Sequence, residues 1–319
     1  MEVNKCRICD NIENLEQYVL KEMMYGTQEE FEYFRCSDCG CMQIKKFPVN
    51  IEKYYPDNYL SFSKRSLIKK YLVKKRDLYA MNGKDLLGRV LTIVFGYPDF
   101  YPWFSQAILR RNDFILDIGC GKGELLFNLK NAGFKNLLGI DPYIEKDIVY
   151  NEELKILKRE LHQITDSTFD WVMFHHSFEH LKNPVKTFEL LRDVVKKGGN
   201  ILIRIPVIDS YAWEIYKTDW VQLDPPRHFF IHTKKSIKYL ADKFGFKIQK
   251  IIYDSTALQF FGSEQYKRGI PLMDKKSHWI NPKGSIFNRD ELKEFKENAE
   301  ELNKKKNGDS ACFFLNRTN

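Results

Sequence analysis

The stretch FILDIGCGKGELL, residues 114 to 126, constrains this chain more than any other. An apolar run of strand type breaks at Gly119, Gly121 and Gly123, then resumes with helical periodicity. Such turns belong to open α/β sheets, whose ligands bind beyond the carboxyl ends of the strands. The spacing is G-x-G-x-G, not the G-x-G-x-x-G of a dinucleotide site. Asp117 stands just before it. A pyrophosphate seeks the amides of a helix N-terminus, and a carboxylate at the strand end repels it. The same carboxylate suits a ligand carrying positive charge.

From residue 112 onward, strand and helix patterns alternate, as an α/β domain requires. The run ILDIG is followed by a helix that Gly133 closes, then by the strand NLLGID. A short helix and a strand near LKILK are expected next, then the strand FDWVMFHH. Asn183 caps a helix with Pro184 at its first position and Gly198 at its end. The strand NILIRIP, the helix TKKSIKYLADKFGF, the strand KIQKIIYD, a helix over 289 to 308 and a final strand near 311 to 316 complete the pattern. Residues from about 262 to 288 show no clear period.

LDIGCGKGELL, LLGIDP ending in Asp141, FDWVMFHHSFEHLKNP and LRDVVKKGGNILIRIP form an ordered set. This set resembles the class I S-adenosylmethionine (SAM)-dependent methyltransferases over residues 112 to 254, with the last strand near 311 to 316. The resemblance implies a Rossmann-like seven-stranded sheet, mostly parallel with an antiparallel last strand. It implies SAM as cofactor, an ammonium beside a sulfonium, held by Asp117, Gly119, Cys120, Gly121 and Gly123. Asp141, followed by Pro142, would accept hydrogen bonds from the ribose hydroxyls. His175 would wall the methionine end. The bland reading makes the glycines a structural turn and Asp141 a cap.

Five of the seven cysteines lie in the first 50 residues. Cys6 and Cys9, and Cys36 and Cys39, form two C-x2-C pairs separated by 26 residues. Four thiolates make the closed tetrahedral shell of structural zinc; free thiols in a reducing compartment are the alternative. Cys41 could stand in for Cys39, whose spacing is better. A small zinc module ahead of a SAM domain is similar to a subgroup of bacterial methyltransferases acting on sugars. That similarity implies a sugar, sugar-nucleotide or glycan acceptor in polysaccharide or sugar biosynthesis, methylated on oxygen or, second, on carbon.

Methyl transfer needs alignment and removal of the acceptor's proton. Histidine titrates near neutrality, and His228 in WVQLDPPRHFFIHT is the first choice of base, with His180 in reserve. Arg227 could grip a phosphate or carboxylate by a forked contact; a salt-bridged Arg227 and a core-facing His228 are the rivals. Tyr54, Tyr55 and Tyr59 could wall the acceptor or simply seam two modules together. Residues 64 to 76 pattern as a helix with an apolar face and a basic face, open to anionic lipid, to nucleic-acid phosphate or to packing on its own domain.

Residues 1 to 50, 51 to 110 and 111 to 319 are therefore expected to form a zinc module, an aromatic and basic helical linker or lid, and the SAM domain with an insertion at about 262 to 309. With 51 basic against 43 acidic residues the net charge is +8, which favours anionic partners such as phosphate-bearing substrates; no DNA partner is expected. No run of about 18 apolar residues occurs, so any membrane contact would be peripheral. The opening MEVNKCRICD lacks a signal-peptide layout, and the expected location is cytoplasmic. The oligomeric state stays open. Two rivals stand beside the sugar reading: an RNA methyltransferase that grips phosphates with the zinc module and basic helix, and a non-catalytic SAM-fold scaffold subunit.

Overall fold

The structure, a computed structural model, describes residues 5–55, 67–98, 100–165 and 168–318. In chain order its elements are β1 (Glu16–Lys21), β2 (Glu30–Arg35), β3 (Met42–Ile44), α1 (Leu67–Asn82), α2 (Leu86–Phe95), α3 (Tyr101–Phe104), β4 (Phe114–Ile118), α4 (Glu124–Asn131), β5 (Asn136–Ile140), β6 (Ile148–Asn151) and β7 (Leu154–Leu157). Then come β8 (Phe169–His175), α5 (Pro184–Val194), β9 (Val195–Pro206), α6 (Tyr211–Tyr216), β10 (Phe230–Ile231), α7 (Lys234–Lys243), β11 (Phe246–Tyr253), α8 (Leu258–Lys267), α9 (Arg289–Lys304) and β12 (Ser310–Arg317). The chain divides into two compact units. One holds Met1–Pro56, Phe178–Phe188 and Arg204–Phe313; the other holds Asp57–Ser177, Glu189–Ile203 and Phe314–Asn319. Among the described residues, no helix is long and apolar enough to cross a membrane.

The larger sheet has the order β11-β12-β9-β8-β4-β5-β7-β6. β4 pairs in parallel with both β5 and β8, and β5 pairs in parallel with β7. Ile115 and Leu116 of β4 and Val172, Met173 and Phe174 of β8 are fully buried. That explains their near-continuous apolar runs: a parallel strand covered on both faces has no polar side to display.

The expected seven strands are eight among those described. The addition is β6, which pairs antiparallel with β7 through a bulge between Val149 and Asn151. Where a short helix was expected, Ile148, Val149 and Tyr150 favour an extended edge. Asn151 then makes the turn, its Oδ1 accepting from the amides of Glu153 (3.2 Å) and Leu154 (3.1 Å). A second difference lies at α5. Asn183 caps it as expected, accepting from the Lys186 amide at 2.9 Å, but the helix stops at Val194 and β9 begins at Val195. Lys196, within the expected helix end, instead lies in β9 and pairs with Asp170 of β8 at 2.8 Å.

The unit containing the N-terminal segment is built on a smaller sheet, β1-β2-β3-β10, antiparallel at every described pairing. Its fourth strand comes from far along the chain: Phe230 and Ile231 sit opposite Gln43 and Met42. The segment before β10 is anchored by Arg227, whose side chain is completely buried. Its Nε donates to both Asp224 oxygens at 3.0 and 2.9 Å. Its Nη2 donates to Glu22 at 2.8 Å, and its Nη1 to the Tyr54 carbonyl at 3.2 Å. Glu22, also fully buried, accepts from the Tyr25 and Thr27 amides as well. Burial works against all three charges. For Asp224 the Arg227 charge and hydrogen bonds win and hold its carboxyl below the ordinary 3.8. The stabilisation from Asp224 is therefore present above pH 3.8 and is lost only as the pH falls through the lower folded value.

Removing the guanidinium would strand the buried Glu22 carboxylate and the half-buried Asp224 carboxylate. Arg227→Met is expected to cost about 3 to 5 kcal/mol, read as a lower urea midpoint at neutral pH; an unchanged midpoint would show the cluster to be dispensable.

Candidate functional site

The glycine loop leaves β4 at Ile118 and enters α4 at Glu124. Gly119 has φ +73°, and a Cβ there would lie 2.5 Å from the Ser177 Cβ. Ser177 closes on the strand end by donating from its hydroxyl to the Ile118 carbonyl at 2.6 Å. Gly123, φ +80°, would drive a Cβ to 2.4 Å from Ile156 Cδ1. Side chains at these two positions would be both strained and blocked, so the turn needs glycine there.

Asp141 follows β5. Its Oδ2 accepts from the Gly121 amide at 2.9 Å and its Oδ1 from the Tyr143 amide at 2.8 Å. Those bonds tie the acidic residue to the glycine loop and fix both its oxygens. Asp117 is buried, with 3% of its surface exposed, and its Oδ1 has no hydrogen-bond partner among the described residues. Burial first, then the Asp141 charge, pushes its carboxyl up to about 8. A buried acid left without a donor is costly in isolation; a cationic group placed against it would remove that cost. This is the feature that fits the positively charged ligand expected from the sequence.

Cys120 and Pro142 are half-buried beside these residues in the chain, and burial pushes the Cys120 thiol up. His175, at the end of β8, lies against the rings of Trp103 and Phe104, with centroids 5.0 and 6.1 Å away. The unit of Asp57–Ser177 thus brings together the elements carrying Asp117, Gly119, Cys120, Gly121, Gly123, Asp141, Pro142 and His175.

The other unit gathers the histidines. His180 closes a short 3-10 turn, Phe178–His180, and its ring lies 4.8 Å from that of His228. Its Nδ1 is 2.8 Å from the Arg227 carbonyl and 3.1 Å from the Tyr55 hydroxyl. The Nδ1 of His228 is 2.8 Å from the Gln222 carbonyl. Burial, then the neighbouring His228, lowers the pKa of His180. Tyr54 is buried, and its hydroxyl donates to Glu29 at 2.5 Å. Tyr59 lies outside the described residues. His232 belongs to the start of α7, as its neighbour Thr233 caps the helix by accepting from Ser236.

Cys6, Cys9, Cys36 and Cys39 converge in the same unit. The Cys6 and Cys39 sulfurs are 3.5 Å apart, and those of Cys9 and Cys36 3.6 Å. These separations approach the edge of about 3.8 Å that a tetrahedral thiolate shell around zinc requires. Gln43 donates to the Cys6 sulfur at 2.8 Å and Asn11 to that of Cys36 at 3.5 Å. Donors of this kind orient metal-binding thiolates. Cys41 is buried outside the set and faces the Met42 carbonyl.

Glu22 and Asp224 were not apparent as partners of Arg227. The i,i+3 spacing of Asp224 and Arg227 was visible in LDPPRH; Glu22, 205 residues away, has no local signal.

Comparison with known proteins adds the following. Residues 97–251 match the methyltransferase domain family model. The chain is 25% identical over 193 residues to the tRNA U34 carboxymethyltransferase of Helicobacter acinonychis, covering 54% of this chain and 72% of that protein. It is 28% identical over 121 residues to the protein of the same name from Helicobacter pylori strain HPAG1, covering 33% of this chain and 45% of the relative. For the Aeromonas salmonicida protein of that name the figures are 24% over 149 residues, 44% and 46%. The chain thus spans less than half the length of the last two relatives. Among solved structures, a SAM-dependent methyltransferase from Archaeoglobus fulgidus aligns with a TM-score of 0.41 at 20% identity, over 79% of this chain and all of that one. The Mycobacterium tuberculosis cyclopropane synthase MmaA2 aligns with a TM-score of 0.42 at 15% identity, over 66% and 80%.

These relatives correct the expected acceptor. They are named for a tRNA position and not for a sugar, so the sugar, sugar-nucleotide and glycan reading, and with it a place in polysaccharide biosynthesis, is withdrawn. The donor side keeps its support: residues 97–251 match a methyltransferase domain, in line with the SAM-dependent methyltransferase expected from the sequence.

Proposed function

We propose that the chain modifies RNA, with tRNA as the substrate class. The observation that carries this is the name shared by the curated relatives that the chain matches. The net charge of +8 supports it, because a basic surface gathers phosphate.

When bound, SAM supplies a methyl group on a positively charged sulfur. Asp117 offers a buried carboxylate to a cationic part of that molecule. The glycine loop admits it closely, with Cys120 in the loop and Pro142 stiffening the exit from β5. Asp141 has both oxygens held by backbone amides and keeps further lone pairs for ribose hydroxyls. His175 serves as a wall. For the proton of the acceptor, His228 is the first candidate and His180 the second. In each ring Nδ1 faces a backbone carbonyl, which can only accept, so Nδ1 carries the hydrogen and Nε2 the basic lone pair. Tyr55, beside His180, is assigned to the acceptor side. Arg227 and Tyr54 are assigned to the fold, since their polar groups already meet Asp224, Glu22 and Glu29. The four N-terminal cysteines are assigned to a structural zinc ion.

Purified protein with radiolabelled SAM is expected to transfer label to unmodified tRNA, with binding that weakens steeply as salt rises. Absence of label in tRNA at saturating SAM would overturn the acceptor assignment.

The pH dependence of SAM affinity follows from Asp117. Below about 8 its carboxyl holds a proton that a cationic ligand must displace. Affinity should rise by up to about tenfold per pH unit until about pH 8 and then level off. Calorimetry in buffers of different ionisation enthalpy should show proton release, and Asp117→Asn should abolish both effects. A flat wild-type profile would remove Asp117 from the cofactor's contacts.

For the cysteines, native mass spectrometry of Cys36→Ser should show one zinc fewer per chain than wild type, together with earlier thermal unfolding. Equal metal content in the two proteins would refute the zinc assignment.

A further inference from the structure

Glu179, His180 and His228 each present one ligand atom, and these atoms lie within 4.8 Å of one another. We propose that this cluster is a second metal site, distinct from the cysteines, that takes a first-row divalent transition ion such as Mn2+.

Two observations beyond proximity point to a ligand. The first is the tautomer of both rings. His180 Nδ1 lies 2.8 Å from the Arg227 carbonyl, and His228 Nδ1 lies 2.8 Å from the Gln222 carbonyl. Each ring therefore donates from Nδ1 and leaves a lone pair on Nε2. A metal-binding histidine is held in the same way, its other nitrogen donating to a backbone carbonyl or carboxylate. The second is the company that His228 Nε2 keeps. Glu179 Oε1 is 3.9 Å away and Asp224 Oδ2 is 3.8 Å away. With Nδ1 directed at a carbonyl, the Nε2 edge of His228 faces two carboxylates at this range, a setting that favours a positive charge. A cation bound by the lone pair and by Glu179 meets that demand.

The surroundings give the cluster a fixed shape. The Phe229 amide donates to the Glu179 carbonyl at 2.9 Å, and the Tyr33 hydroxyl to the His228 carbonyl at 2.9 Å. Asp224 is fixed by Arg227. Glu179 is fully buried and His228 is 6% exposed, while His180 is half-buried and marks the open side. Two imidazoles and one carboxylate suit manganese, iron or zinc better than the all-oxygen preference of magnesium or calcium. Three protein ligands leave coordination positions open. An acceptor or water oxygen bound there would lose its proton more readily. In that state the two imidazoles act as ligands and not as free bases.

The test uses the full chain carrying its cysteine-bound metal, dialysed against a weak chelator. Binding of Mn2+ is followed by loss of the six-line electron paramagnetic resonance signal of the free ion, with neither SAM nor RNA present. Failure here is thus distinct from failure of the tRNA assignment. Wild type is expected to bind one Mn2+ per chain. Glu179→Gln should weaken that binding at least tenfold, and His180→Asn and His228→Asn likewise. Retention of the cysteine-bound metal by each variant shows that it is folded. No binding by wild type at millimolar Mn2+ overturns the site, and so does undiminished binding by all three folded variants. Should one variant fail to fold, the other two decide.

Discussion

A guanidinium taken wholly out of water is tolerable only when its charge and its donors are all met, and the segment around Arg227 is organised by that demand. Two carboxylates and a backbone carbonyl surround it, contributed by Glu22, Asp224 and Tyr54. The partners come from the turn after β1, from the loop before β10 and from the chain after β3, so one side chain joins three segments distant in sequence. With the loop fixed, the carbonyl of Arg227 is placed to receive His180 Nδ1, and that of Gln222 to receive His228 Nδ1. The orientation of both imidazoles therefore depends on a charge cluster that need not touch a substrate. Continuum arguments make such buried clusters poor sources of net stability but expensive to break. They suit a loop that must hold one geometry.

Asp117 presents the opposite case. It is equally buried, but its Oδ1 meets no donor, and the nearby Asp141 adds repulsion. Among the described residues no donor meets that oxygen, whereas Asp224 is compensated by Arg227. Unpartnered buried acids concentrate at sites of binding and chemistry. The contrast separates a carboxylate that shapes the chain from one kept available for a cationic ligand, although both are acids that follow apolar residues.

How much of this was legible depended on sequence distance. The glycine loop, Asp117 and Asp141 were readable because strand, turn and helix signals lie within a few residues and the backbone geometry of Gly119 and Gly123 admits little else. The cysteine pairs were readable because C-x2-C is itself a local geometry. β6 was missed because four residues carry too little period to distinguish an edge strand from a helical turn, and only pairing with β7 decides it. The end of α5 was misplaced for a related reason. Lys196 to Gly199 read as a helix terminus, but Lys196 meets Asp170 across the sheet. Arg227 was recognised as a candidate for forked recognition, yet its partner Glu22 is 205 residues away, beyond any local rule. The acceptor was misread because it was inferred from the zinc module. A closed thiolate shell builds a fold and has no coordination position with which to address an acceptor.

The two clusters of potential ligands in the N-terminal unit differ in kind, and the difference follows from their side chains. Four soft sulfurs, two pairs of them 3.5 and 3.6 Å apart, form a closed set whose donors, Gln43 and Asn11, hold the thiolates in place. A set of this kind suits zinc. Glu179, His180 and His228 mix nitrogen with oxygen, are spread over as much as 4.8 Å and open on the His180 side. A looser, mixed and partly exposed set binds more weakly and exchanges more readily, and it can admit a further oxygen. The first cluster lies among β1, β2 and β3, and the second among the Phe178–His180 turn and the loop that Arg227 anchors. β10 connects the two, since Phe230 pairs with Gln43, the residue that donates to Cys6. Disturbing the thiolate shell should therefore loosen the strand that follows His228, and the histidine geometry would depend on a metal that takes no part in the chemistry there.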